Sequence, residues 1–302
     1  LLEGDKIVRC TLRGKLKKAL RLKKDKLYLL DPVAVGDYVE ISLEKDDFGA
    51  IEGIKERRNY LSRKAPKIKG AGFRGERLEQ IIASNVDVLF VVMSFKTPSF
   101  NNRVLDRILV AAESGGIETK IVFNKIDLAD KEELKDWAEL YSGLGYEIFK
   151  TSAVTGEGTK DLQEILHGKT SVFWGASGVG KSSLLNVLFP HLNLKVGAVS
   201  DKTSKGRHTT VTVNMIKIDS ETFVIDTPGI REIDPYGIRK EDLGLFFRDF
   251  KPYIPECKFN SCTHNHEPGC AVIKAVEKGE IDKRRYISYL NILATLEDGL
   301  TF

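Results

Sequence analysis

The run Gly175-Ala176-Ser177-Gly178-Val179-Gly180-Lys181-Ser182, followed by Ser183, satisfies G-x-x-x-x-G-K-[ST]. Residues of these types at this spacing hold a phosphate chain. The glycines let the backbone curl so that its N–H groups face phosphate oxygens, and the helix that follows adds positive potential at its start. Lys181 would bridge the β and γ oxygens and act in catalysis, while Ser182 would ligate Mg²⁺. A second run, Asp226-Thr227-Pro228-Gly229, ends an apolar stretch. Asp226 would reach the magnesium shell through water, and the Gly229 N–H would sense a γ-phosphate.

Asn124-Lys125-Ile126-Asp127 follows Ile121-Val122-Phe123 and selects the base. A carboxylate at Asp127 accepts two hydrogen bonds from guanine N1 and N2, whereas adenine offers no matching donor pair. Asn124 would tie this loop to the phosphate loop, and Lys125 would lie along the base. Ser152-Ala153 would complete the pocket with a backbone N–H to O6. Between Ser200 and Thr210 lies a polar segment with almost no apolar anchor, as expected of a loop ordered by nucleotide. Thr209 or Thr210 is the candidate ligand of Mg²⁺ and γ-phosphate, and the sequence leaves that choice open. Hydrolysis also needs a group that orients water. The residue after Gly229 is Ile230, an aliphatic side chain that does not polarise water, so slow intrinsic turnover is expected. His208 is the candidate water-positioning residue, with a solvated or RNA-facing histidine as the alternative.

Cys257, Cys262, His264 and Cys270 form C-x4-C-x-H-x5-C. Three thiolates and one imidazole make a closed tetrahedral zinc site with no open position, hence a structural one. His266 is the alternative fourth ligand. The remaining cysteine, Cys10, stands alone.

These loops need a parallel sheet to hold them. From Val86 onward, strand-like runs at 86–94, 120–124, 146–151 and 171–175 alternate with helical patterns at 102–114, 131–142, 159–167 and 180–189. A hairpin is expected around Asp219-Ser220-Glu221, and helices near 271–278 and 283–296. Strand-like runs at 6–11, 26–30, 37–43 and 50–56 fit a small barrel of the oligonucleotide-binding (OB) type, with an SH3-like barrel as runner-up. Ser62 to Arg77 reads as a linker or loop. The expected domains are 1–65, 66–232 and 233–302.

The chain has 302 residues, 42% hydrophobic and 30% charged, with a net charge of +4. That charge is uneven. Residues 1–77 carry 20 Lys/Arg against 12 Asp/Glu, so the basic excess sits on the expected barrel and suits a polyanion. Its main aromatic residues are Tyr28, Tyr38 and Phe48, too few for base stacking to dominate. Arg284 and Arg285 would add a second RNA contact or form a solvated helix face. No apolar run is long enough to span a membrane, so a cytoplasmic protein acting as a monomer is expected.

In ordinary small GTPases the phosphate loop precedes the base-reading motifs. Here it follows them, so the set resembles a circularly permuted GTPase. With Gly206-Arg207-His208-Thr209-Thr210, Glu267-Pro268-Gly269-Cys270 and Arg285-Tyr286-Ile287-Ser288-Tyr289, nearly the whole chain resembles the ribosome small-subunit-dependent GTPase A family, known as RsgA or YjeQ. The resemblance implies an α/β fold: a circularly permuted P-loop GTPase domain with an N-terminal OB-type β-barrel and a C-terminal, mostly helical zinc-binding domain. It also implies a bacterial GTPase that binds GTP and GDP with magnesium and one structural zinc. Its partner would be the 30S subunit and its 16S rRNA in late maturation, and that subunit would stimulate hydrolysis. The family's GTP-site residues carry over to Asn124, Lys125, Asp127, Ser152, Ala153, Gly175, Gly180, Lys181, Ser182, Asp226 and Gly229. Its zinc ligands carry over to Cys257, Cys262, His264 and Cys270. The competing reading is a GTPase switch for another protein or polyanion.

Overall fold

The computed structural model describes residues 7–14, 28–29, 32–43, 48–65, 78–195, 213–227 and 233–296. Six short strands come first: β1 (Arg9–Leu12), β2 (Tyr28–Leu29), β3 (Val39–Leu43), β4 (Phe48–Ile54), β5 (Tyr60–Lys64) and β6 (Leu78–Ser84). Among the described residues they pair as two three-stranded sheets, β1-β4-β3 and β2-β6-β5. Two of these strands, β5 and β6, have no counterpart in the sequence reading. Buried Leu61 and Arg63 alternate with half-buried neighbours in β5, and an arginine on the buried side disguises the period. Because β5 pairs with β6 across residues 66–77, Ser62 to Lys64 are strand rather than linker. The boundary expected at residue 65 therefore falls inside one sheet.

Beyond β6 come β7 (Val88–Met93), α1 (Asn102–Ser114), β8 (Thr119–Asn124), α2 (Lys131–Gly143), β9 (Glu147–Thr151), α3 (Thr159–Leu166), β10 (Thr170–Trp174) and α4 (Lys181–Leu188). The hairpin β11 (Asn214–Lys217) and β12 (Phe223–Asp226) follows, turning at Asp219 as expected. These strands form one sheet in the order β11-β12-β10-β7-β8-β9, and only β11 runs antiparallel. Every residue of β7 is buried. Leu89, Val91 and Met93 pack with α1 and α2, while Val88, Phe90 and Val92 pack with α3 and α4, so both faces are covered. Counted from the phosphate-loop strand as β10, β11, β12, β7, β8, β9, the spatial order becomes 2-3-1-4-5-6. The rotation of the chain thus leaves one continuous sheet. The parallel strands end on a common edge, where ligands of such sheets bind.

The C-terminal region consists of 3-10 turns at Leu243–Phe246 and Ile254–Glu256, then α5 (Ala271–Glu277) and α6 (Lys283–Leu293). Its core of Phe247, Phe250, Val272, Tyr289 and Ile292 also takes in Val110 of α1. Arg285 is 1% exposed and pairs with Asp106 of α1 and, at 2.9 Å, with Asp249. The Tyr141 hydroxyl donates to the same Asp106 at 2.8 Å. Arg284 pairs with Asp136 and Asp282 and lies 4.2 Å over the Trp137 ring. Neither arginine is a bare RNA-facing charge: both join α6 to the sheet's helices. No helix among the described residues is long and apolar enough to cross a membrane.

Candidate nucleotide site and metal centre

The base-reading groups lie at the ends of β8 and β9 and bond to one another. Asn124, fully buried, donates from Nδ2 to the Val179 carbonyl at 2.9 Å and accepts from the Thr151 hydroxyl at 3.1 Å. It therefore ties its loop to the phosphate loop as its type predicts. Lys125 makes contacts that the sequence reading did not foresee. Its ammonium donates to the carbonyls of Gly178 (2.7 Å) and Thr97 (2.9 Å), bracing the phosphate loop against the segment after β7. The Ser152 hydroxyl donates to Asp127 Oδ1 at 2.6 Å and accepts from the N–H groups of Val154 and Thr155. One carboxylate oxygen is thus held in place while Asp127 stays exposed to a base. The Ser152 N–H is spent on the Glu157 carbonyl, which leaves the Ala153 N–H as the donor available for O6. Thr151 and Thr97 escaped the sequence reading: Thr151 closes β9 and carries no signal of its partner, and Thr97, in the turn after β7, acts through its backbone carbonyl.

Around the phosphate loop, Gly180 caps α4 with φ +95° and no side chain bonded to the helix start. A Cβ there would lie 2.5 Å from Asn124 Nδ2, so glycine is required for both backbone and space. The first N–H groups of α4 are left for an anion. The Lys181 ammonium donates to the carbonyls of Gly175 (2.5 Å) and Ala176 (3.3 Å). Burial pushes its pKa down, and only the nearby Asp226 opposes this. Burial likewise pushes Asp226 up, against Lys181. Each charge is under-compensated by the protein, and a phosphate chain with a divalent cation supplies the missing opposite charges. The residues present therefore fit a magnesium-bound nucleotide. His208, Thr209, Thr210 and Gly229 lie outside the described residues.

In the C-terminal region, the ligand atoms of Cys257, Cys262, His264 and Cys270 all lie within 4.8 Å of one another. His264 presents Nδ1, 3.6 Å from Cys257 Sγ and 3.4 Å from Cys270 Sγ. The alternative ligand, His266, is exposed and outside the cluster. Burial pushes the Cys262 thiol up to about 12, raises the Cys270 thiol as well and pushes the His264 imidazole down, so these two thiols need a cation beside them to ionise while the imidazole is already in its ligating neutral form. That donor set fits Zn²⁺. Two supports were not legible in the sequence. Gly244 sits so close to His264 that a Cβ would lie 2.8 Å from Nε2. Glu267 accepts from the Thr263 N–H (2.7 Å) and hydroxyl (2.5 Å) and from the N–H groups of Asn265 and His266. Burial alone would raise the Glu267 carboxyl, but these bonds take it down to about 2.

Residues 54–236 match the model of the RsgA GTPase family. The chain is 43% identical over 270 residues to the small ribosomal subunit biogenesis GTPase RsgA of Chlorobaculum parvum, covering 88% of this chain and 86% of that one. The chain belongs to the RsgA family. It is therefore a GTPase, circularly permuted like its relatives. Two crystal structures agree with RsgA membership. YjeQ from Thermotoga maritima has a TM-score of 0.69 at 37% identity, covering 94% of this chain and 88% of that one. YloQ, a circularly permuted GTPase, has a TM-score of 0.65 at 33% identity, covering 97% and 87%.

Proposed function

We propose that this GTPase is an assembly factor for the small ribosomal subunit. In this reading it binds the 30S particle and its 16S rRNA in late maturation, hydrolyses GTP slowly alone, and is stimulated by that particle. The observation that carries the reading is coextensive similarity: relatives named for small-subunit biogenesis match across most of their length, one of them over 97% of this chain.

Asp127, oriented by Ser152, reads guanine; Asn124 and Lys125 brace the loops, and Ala153 meets O6. Gly175 to Ser183 cradle the phosphates, with Lys181 on the β and γ oxygens. Ser182 and, through water, Asp226 hold Mg²⁺, which neutralises charge developing on the transferred phosphoryl group. Gly229 senses the γ-phosphate, Thr209 or Thr210 joins it, and His208 positions water once the particle orders its segment. Cys257, Cys262, His264 and Cys270 hold one structural Zn²⁺. The N-terminal strands act as an OB-type module on rRNA; Arg9 and Arg13 are exposed there beside exposed Tyr38 and Phe48. The protein acts in the cytoplasm as a monomer.

GTP turnover measured with added 30S subunits, 50S subunits or lipid vesicles tests this. Stimulation confined to 30S is expected, and a flat response to 30S would sink the proposal.

A further inference from the structure

The turn that follows β7 lies against the phosphate loop. Ser94, the first residue beyond the strand, is 1% exposed, and its hydroxyl donates to the Pro98 carbonyl at 2.9 Å, closing the turn between them. Phe95 anchors that turn in the core, its ring stacked on Phe100 with centroids 4.9 Å apart and edge-on to Phe123 of β8 at 5.1 Å. The same turn meets the phosphate loop twice. A Cβ on Gly178 would lie 3.6 Å from Pro98 Cδ, in van der Waals range. The Thr97 carbonyl takes one N–H of the Lys125 ammonium, which gives another to the Gly178 carbonyl. A further contact sits at the start of the loop, where a Cβ on Gly175 would lie 2.4 Å from the Val92 carbonyl oxygen of β7. Lys125 makes its link from φ +62°, a left-handed conformation that a residue with a Cβ keeps only where its surroundings hold it.

We infer that Ser94 is a positioning residue for the phosphate loop: by closing the turn, its hydroxyl sets where the Thr97 carbonyl meets Lys125, and Lys125 in turn holds Gly178. The inference rests on the reading of Gly175 to Ser183 as the phosphate cradle. Ser94 is buried and acts only through other residues, but each step is a direct contact. Its hydroxyl holds the Pro98 carbonyl, Thr97 and Pro98 are consecutive, and the Lys125 ammonium bonds to Thr97 and Gly178 at once. The six residues of β7 before Ser94 are apolar and buried, so a hydroxyl at that place serves its hydrogen bond rather than the packing of the core. Backbone N–H groups stabilise an anion only when they are held in place beforehand. Loosening the turn would therefore weaken phosphate binding with every donor of the loop still present.

The test measures GDP affinity of the full chain carrying Ser94→Ala or Ser94→Thr, the latter keeping the donor, with Lys181→Ala alongside. Ser94→Ala is also placed in a Lys125→Met background, where the link to the loop is gone. In the parent background Ser94→Ala should weaken GDP binding about five- to tenfold, a coupling typical of contacting residues, while Ser94→Thr stays within about twofold. With Lys125→Met present, the same alanine should cost less than about twofold, because there is no longer a contact for it to disturb. A merely structural serine would cost the same in both backgrounds. A loss under about twofold for Ser94→Ala in the parent, equal losses in the two backgrounds, or a threonine as weak as the alanine overturns the inference, whatever the change in Tm. If Lys181→Ala weakens GDP binding while Ser94→Ala does not, Ser94 has failed and the phosphate cradle stands. If Lys181→Ala leaves binding unmoved, the cradle falls and the inference with it.

Discussion

The nucleotide site and the Cys/His cluster are assembled in opposite ways. The four candidate zinc ligands come from residues 257–270, joined by tight turns and a single organising carboxylate, Glu267. The nucleotide groups come from the ends of β8, β9, β10 and β12, spread from Asn124 to Asp226, and meet because the sheet brings those ends to one edge. One site is drawn from a single short run of chain; the other inherits its geometry from strands that a buried core holds together. The difference teaches that each can be damaged without the other, except where the two regions share α1.

That shared contact carries the largest expected effect. Arg285→Ala leaves Asp106 buried and unpaired beneath α6, and a loss of about 3–5 kcal/mol is expected, readable by urea unfolding. A loss under about 1 kcal/mol would mean that the interface does not depend on its ion pairs.

A matched pair of glycine substitutions sharpens the contrast. Gly180→Ala forces a side chain onto Asn124 at a left-handed φ, so guanine nucleotide binding should collapse with zinc content intact. Gly244→Ala crowds His264, and zinc affinity should drop about 10- to 100-fold, as for other supports of metal ligands, with nucleotide binding unchanged. Metal competition with a chelator and fluorescent GDP titration read the two; parallel losses in both variants would break the comparison.

The smallest effect is pH dependence confined to the cluster. The folded Glu267 carboxyl sits near 2 against an ordinary value of 4.5. Its pKa is depressed by folding, so its contribution is full above about 4.5 and lost as pH falls toward about 2. The stability gap between the parent and Glu267→Gln should therefore narrow through that window. A gap constant from neutral pH down to about 2 would show that the carboxylate's bonds do not stabilise the fold.

Much of both sites was legible in the sequence, because their chemistry is written in runs whose spacing covalent geometry carries into space. The alternation of apolar runs with helical periods gave the strands and helices of the central sheet, and the phosphate loop and the Cys/His cluster follow from residues close together in the chain. The hydrogen bonds of Lys125 and Ser152 were not legible, since each side chain had several partners within reach. Nor were β5 and β6, whose pairing crosses residues 66–77.

By itself, the sequence determined that the chain is a GTPase, where its phosphate loop lies, which Cys and His residues cluster, and the rotated order of the motifs. Only the tertiary structure decided that Arg285 is a buried clamp rather than an RNA contact, that Gly244 packs against His264 of the Cys/His cluster, and that Asp234 joins α1 and β5. The physical reason is distance along the chain. Arg285 and Asp106 are separated by 179 positions, and which of many aspartates an arginine meets is set by how the helices pack, not by either residue's neighbours in sequence.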